Sequence, residues 1–327
     1  MDWKPYYRRE LDSPSGRRAV DALLDGASDD GLARAVARGT VVSFPHTALS
    51  FAGPLQARVV SALYRSGVER VIALGVLHGA TSAPTRIALD EEQPAEVRRA
   101  ALAGVIGATM PAARAIKTPY GDLLLAAAAE DGSVPVRIDR SALLADEFSL
   151  DTFFALMRRA ADLRGVAPLP VLPVFVGPTR DPLDGSFGVA ERLAAWLRAS
   201  AGARGATALV ATGDVVHYGT AYGAPDADPR EPAERLATRF RAEVDRVLAT
   251  ALAARDWDLA HRLSAEVLRN DQREILAVVS GFLGPARHRI IHFELSDYAG
   301  ILGRPSPCVV ASALLVYERS ASTTRGD

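Results

Sequence analysis

The sequence predicts an α/β fold: a three-layer αβα domain whose mostly parallel central sheet carries helices on both faces. Three observations carry this. β-Branched, apolar runs at 39–44, 70–77, 123–129, 170–176, 207–212, 288–294 and 308–317 alternate with stretches of helical period. A length of 327 residues suffices for one large α/β domain. Three of the six histidines, His46, His78 and His217, each sit just past such a run (TVVSF, RVIALGVL and TALVATGDVV). In an open α/β sheet the carboxyl ends of strands are where ligands bind.

In chain order, residues 1–38 read as an N-terminal arm with short helical pieces. Residues 39–318 read as a single domain, and 319–327 as a frayed polar tail. Gly53-Pro54 is expected to open a helix that closes at Ser66-Gly67, because proline suits a first helical turn. Glu231 to about Ala254 reads as a helix with a solvated face of alternating acids and arginines, followed after a short break by 256–268. The turn-rich segments Gly177–Gly188 and Gly219–Pro232 follow strand ends and are expected either to cover the site or to serve only as connections. No internal repeat, low-complexity tract or domain linker is evident.

Lys and Arg number 38 against 39 Asp and Glu, a net charge of −1, with no dense basic block. That balance gives little support to a nucleic-acid or anionic-membrane surface. The one cysteine, Cys308, lies in the apolar run CVVASALLVY and reads as a buried strand residue, which fits a reducing, cytoplasmic setting. The N-terminus lacks a signal-peptide apolar segment, and the longest apolar stretch is too short to span a bilayer. The absence of Gly-x-Gly-x-x-Gly, P-loop and Gly-x-Ser-x-Gly elements moves nucleotide-binding and serine-hydrolase readings down.

His46 and His78 lie 32 residues apart, one βα unit, so the two side chains are expected to rise from adjacent strands. Neutral imidazoles on rigid strand ends suit Fe, Zn or Cu. The third histidine comes with an acid, Asp214-Val-Val-His217, so Asp214 is expected to orient His217 as a general acid/base or proton relay. The alternative for any one of these histidines is a satisfied loop or core residue, and for Asp214 a turn cap. Tyr120, Tyr218 and Tyr222 either offer hydroxyls to a pocket or serve packing. His261, His288 and His292 receive no chemical role.

FPHTALSFAGPLQARVVSALYRSGVERVIALGVLHG resembles the Memo family pattern. In that pattern His-Ala-Gly-Tyr, a Ser-Gly or Ser-Gly-Pro element, a helix, a hydrophobic strand and Gly-Pro-Ser-His follow in order, with the same 32-residue step between histidines. Glu147-Phe148-Ser149-Leu150-Asp151 resembles the family's Glu-His-Ser-Ile-Glu, LPVLPVFVG its Ile-Pro-Val-Leu-Val-Gly strand, and ATGDVVHYG its Ser-Ser-Asp-Phe-Ser-His-Tyr-Gly. The matches run in order from about residue 40 to 220 and more loosely beyond. The Memo fold is similar to that of class III extradiol dioxygenases, so the resemblance implies one αβα domain with a metal-capable pocket. In it His46 and His78 would be ligands, and Asp214 and His217 would line the same pocket.

The family's third ligand is a cysteine, and aligning EILAVVSGF with the helix after it puts that position at Asn270. Phe148 likewise replaces a histidine, and Leu49 a tyrosine. Without a thiolate the ligand set shifts toward two histidines and an oxygen donor, with Asn270, Asp271 and Glu274 as candidates within one turn. Glu274 is put slightly ahead of Asn270 because a 2-His-1-carboxylate triad leaves positions for O2 and substrate on iron. Asp271-Gln-Arg-Glu274 also reads as a helix capping arrangement.

The function expected is thus a Memo-like, non-haem Fe(II)-dependent oxidoreductase or dioxygenase. It would act with O2 on a small-molecule substrate, involve no nucleic acid or membrane, and allow a homodimer. A Zn-dependent hydrolase, a Cu site, and a metal-poor scaffold that binds a peptide or protein partner stay open.

Overall fold

The computed structural model describes residues 3–90, 92–128, 136–140, 142–202, 205–224, 227–228 and 230–320. Its strands, in chain order, are β1 (Val41–Phe44), β2 (Arg70–Val76), β3 (Ala108–Pro111), β4 (Ala115–Thr118), β5 (Gly121–Leu124), β6 (Val136–Asp139), β7 (Val171–Val176), β8 (Thr207–Thr212), β9 (His217–Gly219), β10 (Ala286–Asp297) and β11 (Cys308–Arg319). Nine form one mixed sheet in the order β10-β11-β1-β8-β2-β7-β3-β6, with β9 paired to β11, while β4 and β5 form a separate hairpin. The four central strands, β1, β8, β2 and β7, are mutually parallel. β11 meets β1 antiparallel on one side, and β3 meets β7 antiparallel on the other.

The central strands are apolar along nearly their whole length because both faces are covered. Alternation then assigns each residue a face. Ile72 and Leu74 point into the cluster capped by the helices Gly188–Gly202, Ala233–Ala249 and Arg273–Leu283. Val71, Ala73, Val42 and Phe44 point into the other, capped by Pro14–Gly26, Asp30–Ala37, Leu49–Arg65 and Asp151–Arg164. The result is the αβα sandwich that the sequence predicts.

Several expectations change in detail. The N-terminal arm is three helices, Trp3–Asp12, Pro14–Gly26 and Asp30–Ala37, and Leu11, Val20, Leu24 and Leu32 belong to the main core. The helix after His46 opens at Leu49, not Gly53, so Pro54 lies inside it. Its start is held by Glu10, whose carboxylate accepts the Leu49 N–H at 3.0 Å. The run 123–129 supplies the end of β5 and a single bridge from Leu125 to Val171, not a strand of the main sheet. Residue 129 and the tail 321–327 lie outside the described residues. No helix among the described residues is long and apolar enough to cross a membrane. Cys308 is buried in β11 as expected.

Phe153 is fully buried and stacks on Phe44 of β1 with ring centroids 4.8 Å apart. Phe153→Ala should therefore lower stability by about 3–5 kcal/mol in chemical denaturation. Leu124→Ala, at a residue 59 % exposed, should change it by no more than about 0.5 kcal/mol. Equal effects would mean that the sheet does not depend on this layer.

Candidate metal centre

β1, β8 and β2 are neighbours in that order and parallel, so their carboxyl ends lie side by side at steps of about 4.8 Å. His46 follows β1, Asp214 follows β8 and His78 follows β2. The expectation that the two histidines rise from adjacent strands is corrected: β8 separates them and brings Asp214 between. Two strand steps leave room for the imidazoles to lean together, and their ring centroids are 5.0 Å apart at an interplanar angle of 81°.

His217 arrives by another route. After β8 the chain turns at Gly213, whose φ of +156° and close approach to Gln272 exclude a side chain: a Cβ there would lie 2.5 Å from Gln272 Cγ. The chain then enters β9, where His217 pairs with Val310 of β11. The last donor comes from the segment before the helix Arg273–Leu283. A π-helical turn, Ser264–Leu268, ends at Arg269, which adopts a left-handed φ of +50° that is uncommon for a residue with a side chain. The Asp271 N–H then bonds to the Asp214 carbonyl at 3.0 Å.

These four segments meet at one atom. Asp271 Oδ2 lies 3.3 Å from His46 Nε2, 3.7 Å from His78 Nε2 and 3.8 Å from His217 Nε2. Donor atoms of His46, His78 and Asp271 all lie within 4.8 Å of one another, and so do those of Asp214, His217 and Asp271. Each imidazole turns its Nδ1 outward to a partner. His217 Nδ1 donates to the Arg269 carbonyl at 2.9 Å, and His78 Nδ1 to Glu147 at 3.1 Å. Thr212 Oγ1 gives its proton to the Phe44 carbonyl and so faces His46 Nδ1, at 3.4 Å, as an acceptor. Outward Nδ1–H bonds of this kind fix the tautomer and leave Nε2 for a ligand or a proton.

Glu147 is itself pinned. Its oxygens accept the backbone N–H groups of His78, Phe148 and Ser149 at 2.7–2.8 Å. Burial works against its charge, yet His78 and these donors hold it down at about 2. Burial likewise opposes charging His78, but Glu147 and Asp271 outweigh it and push the imidazole up to about 10. Asp271 is half-buried, and although desolvation opposes its charge the imidazoles of His217, His46 and His78 hold it well below the usual carboxylate range. Asp214 moves up instead, through burial first and the nearby Asp271 charge, partly offset by His46. The pocket thus calls for positive charge at its floor, which a proton on His78 or a divalent ion can supply; ion binding would release that proton.

The donor set fits a metal: two imidazole nitrogens and one carboxylate oxygen, with His217 and Asp214 beside them. It differs from the sequence expectation in its third member, which is Asp271 and not Glu274 or Asn270. Glu274 faces the other way. It accepts from the Thr179 N–H at 2.8 Å and pairs with His261 at 2.9 Å, so neither the ligand nor the capping expectation holds for it. Asn270 is buried and closes a turn by accepting the Gln272 N–H at 2.7 Å. Helical spacing puts Glu274 and Asn270 within a turn of the site, but the helix begins only at Arg273, and Asp271 lies in the turn before it, with its carboxylate among the histidines.

Asp214 is corrected as well. Its Oδ1 accepts the His46 N–H at 3.2 Å, and the group that orients His217 is the Arg269 carbonyl. His261 gains a structural role through Glu274.

The cavity above the donors has a volume of about 670 Å³. Of the three tyrosines singled out, only Tyr222 lines it; Tyr120 bonds to the Leu11 carbonyl and Tyr218 packs on Phe240. The segment Gly177–Gly188 contributes no lining residue and binds Glu274 through Thr179, whereas the loop after His217 contributes Tyr222. The other walls are Trp3 and Tyr7 of the first helix, Tyr298, and Phe148, which stacks on His78 at 4.7 Å. Position 148, where the family pattern has a histidine, thus packs an apolar ring against His78.

Exchanging the two acids separates their roles. If His46, His78 and Asp271 hold an ion, Asp271→Asn should lower the metal content retained after anaerobic loading with Fe(II), while the protein stays folded. Glu274→Gln should leave metal content unchanged and lower stability by roughly 2–4 kcal/mol, because the amide keeps one acceptor oxygen but loses the charge and the second of its contacts to His261 and Thr179. Burial opposes the Glu274 charge, but His261 and the Thr179 N–H hold it at about 2 against an ordinary 4.5. Its contribution is therefore complete above about pH 4.5 and fades as pH falls toward 2. The variant's stability deficit should shrink over that window.

No protein-family model matches this chain, and no curated protein matches it. What the site can do follows from its own donors.

Proposed function

We propose that the protein is a Memo-like, cytoplasmic, non-haem iron oxygenase that acts with O2 on a small chelating molecule, with His46, His78 and Asp271 as the metal-binding triad. The observation that carries this reading is the convergence of three Nε2 atoms, each with its Nδ1 held from behind, on the single oxygen Asp271 Oδ2. Two imidazoles and one carboxylate on one side of an ion form the facial arrangement associated with Fe(II) oxygenases. When bound, the ion supplies open positions at which O2 and substrate meet and exchange electrons.

The chain's residues do the rest. A chelating hydroxyl must lose its proton on binding, and His217 Nε2 is placed to take it. The Arg269 carbonyl accepts from Nδ1 and holds the ring with Nε2 turned to the cavity, 3.8 Å from the Asp271 carboxylate. Later return of that proton makes His217 the general acid as well. Asp214 holds the His46 backbone in place, and Glu147 fixes the His78 ring. Phe148, Tyr7 and Tyr298 line the cavity with apolar ring surface, which would help to exclude water from the reacting groups.

Protein purified without oxygen and loaded with Fe(II) should hold close to one ion per chain. His46→Ala and His78→Ala should lose it with little change in fold. His217→Gln should keep the iron and slow substrate-dependent O2 uptake by roughly 10²–10⁴-fold. Zinc at full occupancy without O2 uptake would favour a hydrolase, and failure to hold any ion would favour a scaffold that binds a peptide or protein.

A further inference from the structure

We infer that the substrate of this cavity carries a cationic ammonium group, received by the aromatic wall of the first helix and the carboxylate of Asp146 at the mouth. The inference rests on the proposed iron site only for the end of the molecule that chelates. Its other end is set by the walls.

Five aromatic side chains line the cavity: Trp3, Tyr7, Phe148, Tyr222 and Tyr298. They form a connected surface. Trp3 stacks on Tyr7 at 5.6 Å, Tyr7 meets Phe148 at 5.4 Å, Trp3 meets Tyr298 edge-on at 6.4 Å, and Phe148 continues onto His78. The charged side chains on the same lining are all acids or histidines, with Asp146 exposed at the rim and Glu147, Asp214 and Asp271 deeper. Among the described residues no Lys or Arg lines the cavity. The nearest lysine in sequence, Lys4, gives its ammonium to the Leu144 and Ala145 carbonyls and so ties the first helix to the loop that carries Asp146.

Ring quadrupoles attract a cation and repel an anion. A divalent ion at the floor would face the carboxylates of Glu147, Asp214 and Asp271 that line the same cavity, and with no Lys or Arg on that lining no positive charge is left for a second anionic group. A carboxylate or phosphate on the far end of a substrate would lose its water without gaining a partner. An ammonium would gain both the rings and Asp146. The cavity volume of about 670 Å³ accommodates one small molecule that reaches from donors to mouth.

The test uses full-length protein, metal-free and Fe(II)-loaded, and three probes of one shape read by calorimetry: phenethylammonium, the neutral phenethyl alcohol and the anionic hydrocinnamate. Phenethylammonium should bind at least about tenfold more tightly than hydrocinnamate in both forms, a gap of about 1.4 kcal/mol by the usual conversion. Asp146→Lys should erase that preference, and Trp3→Ala should weaken the ammonium probe while metal content stays unchanged.

Equal or tighter binding of hydrocinnamate would overturn the inference, as would ammonium binding that neither substitution alters, or none detectable up to about 10 mM. The metal-free arm keeps the two readings apart. Ammonium preference in a protein that holds no iron would sink the oxygenase and leave the cation site, whereas bound iron without the preference would do the reverse.

Discussion

Buried negative charge at the carboxyl edge of the sheet is the constraint on which the rest of this structure depends. Glu147 and Asp214 are buried and Asp271 is half-buried on the lining of one cavity, and like charges so placed are tolerated only when each has donors or a cation beside it. The chain meets that demand in two layers. Imidazoles of His46, His78 and His217 face Asp271, and backbone N–H groups of residues 46, 78, 148 and 149 hold Asp214 and Glu147. Such an arrangement costs stability relative to an apolar core, and under the proposed reading a metal ion would turn that cost into binding.

The scaffold keeps the donors from drifting apart. Gln272, next to Asp271, donates through Nε2 to Ser43 Oγ of β1 and the Gly213 carbonyl, and its Oε1 accepts the Tyr317 hydroxyl of β11. One buried side chain thus fastens the Asp271 segment to β1, to β11 and to the turn after β8. The first helix closes the other side, with Glu10 at the start of the helix that follows His46 and Lys4 on the loop that carries Glu147. Position of the donors and shape of the cavity therefore share supports, a general requirement for precise sites.

Much of this was legible in the sequence, for physical reasons that differ by residue. Central strands announce themselves because burial on both faces demands long apolar runs, and a histidine directly after such a run sits at the edge where ligands bind; hence His46, His78 and His217 could be singled out together. β3, β4, β6 and β9 leave no such signal, since three or four residues without a long apolar run show no period to detect. The position of β8 between β1 and β2 is a matter of long-range pairing, invisible to local pattern. The third donor hinged on where a helix begins. The preference for a carboxylate puts Glu274 ahead of Asn270, but a π turn and a left-handed Arg269 present Asp271 one residue after the position the family pattern suggests. Trp3 and Tyr7 looked like part of an arm because nothing in a charged, aromatic N-terminus says what it will pack on.

The central claim, that His46, His78 and Asp271 hold one ion, is tested most directly by crystals of the protein grown without oxygen in Fe(II) and measured on both sides of the iron absorption edge. The account predicts a single strong anomalous peak about 2.0–2.3 Å from His46 Nε2, His78 Nε2 and an Asp271 carboxylate oxygen. A peak at Glu274 and His261, or no peak at the triad in crystals soaked to saturation, would contradict it.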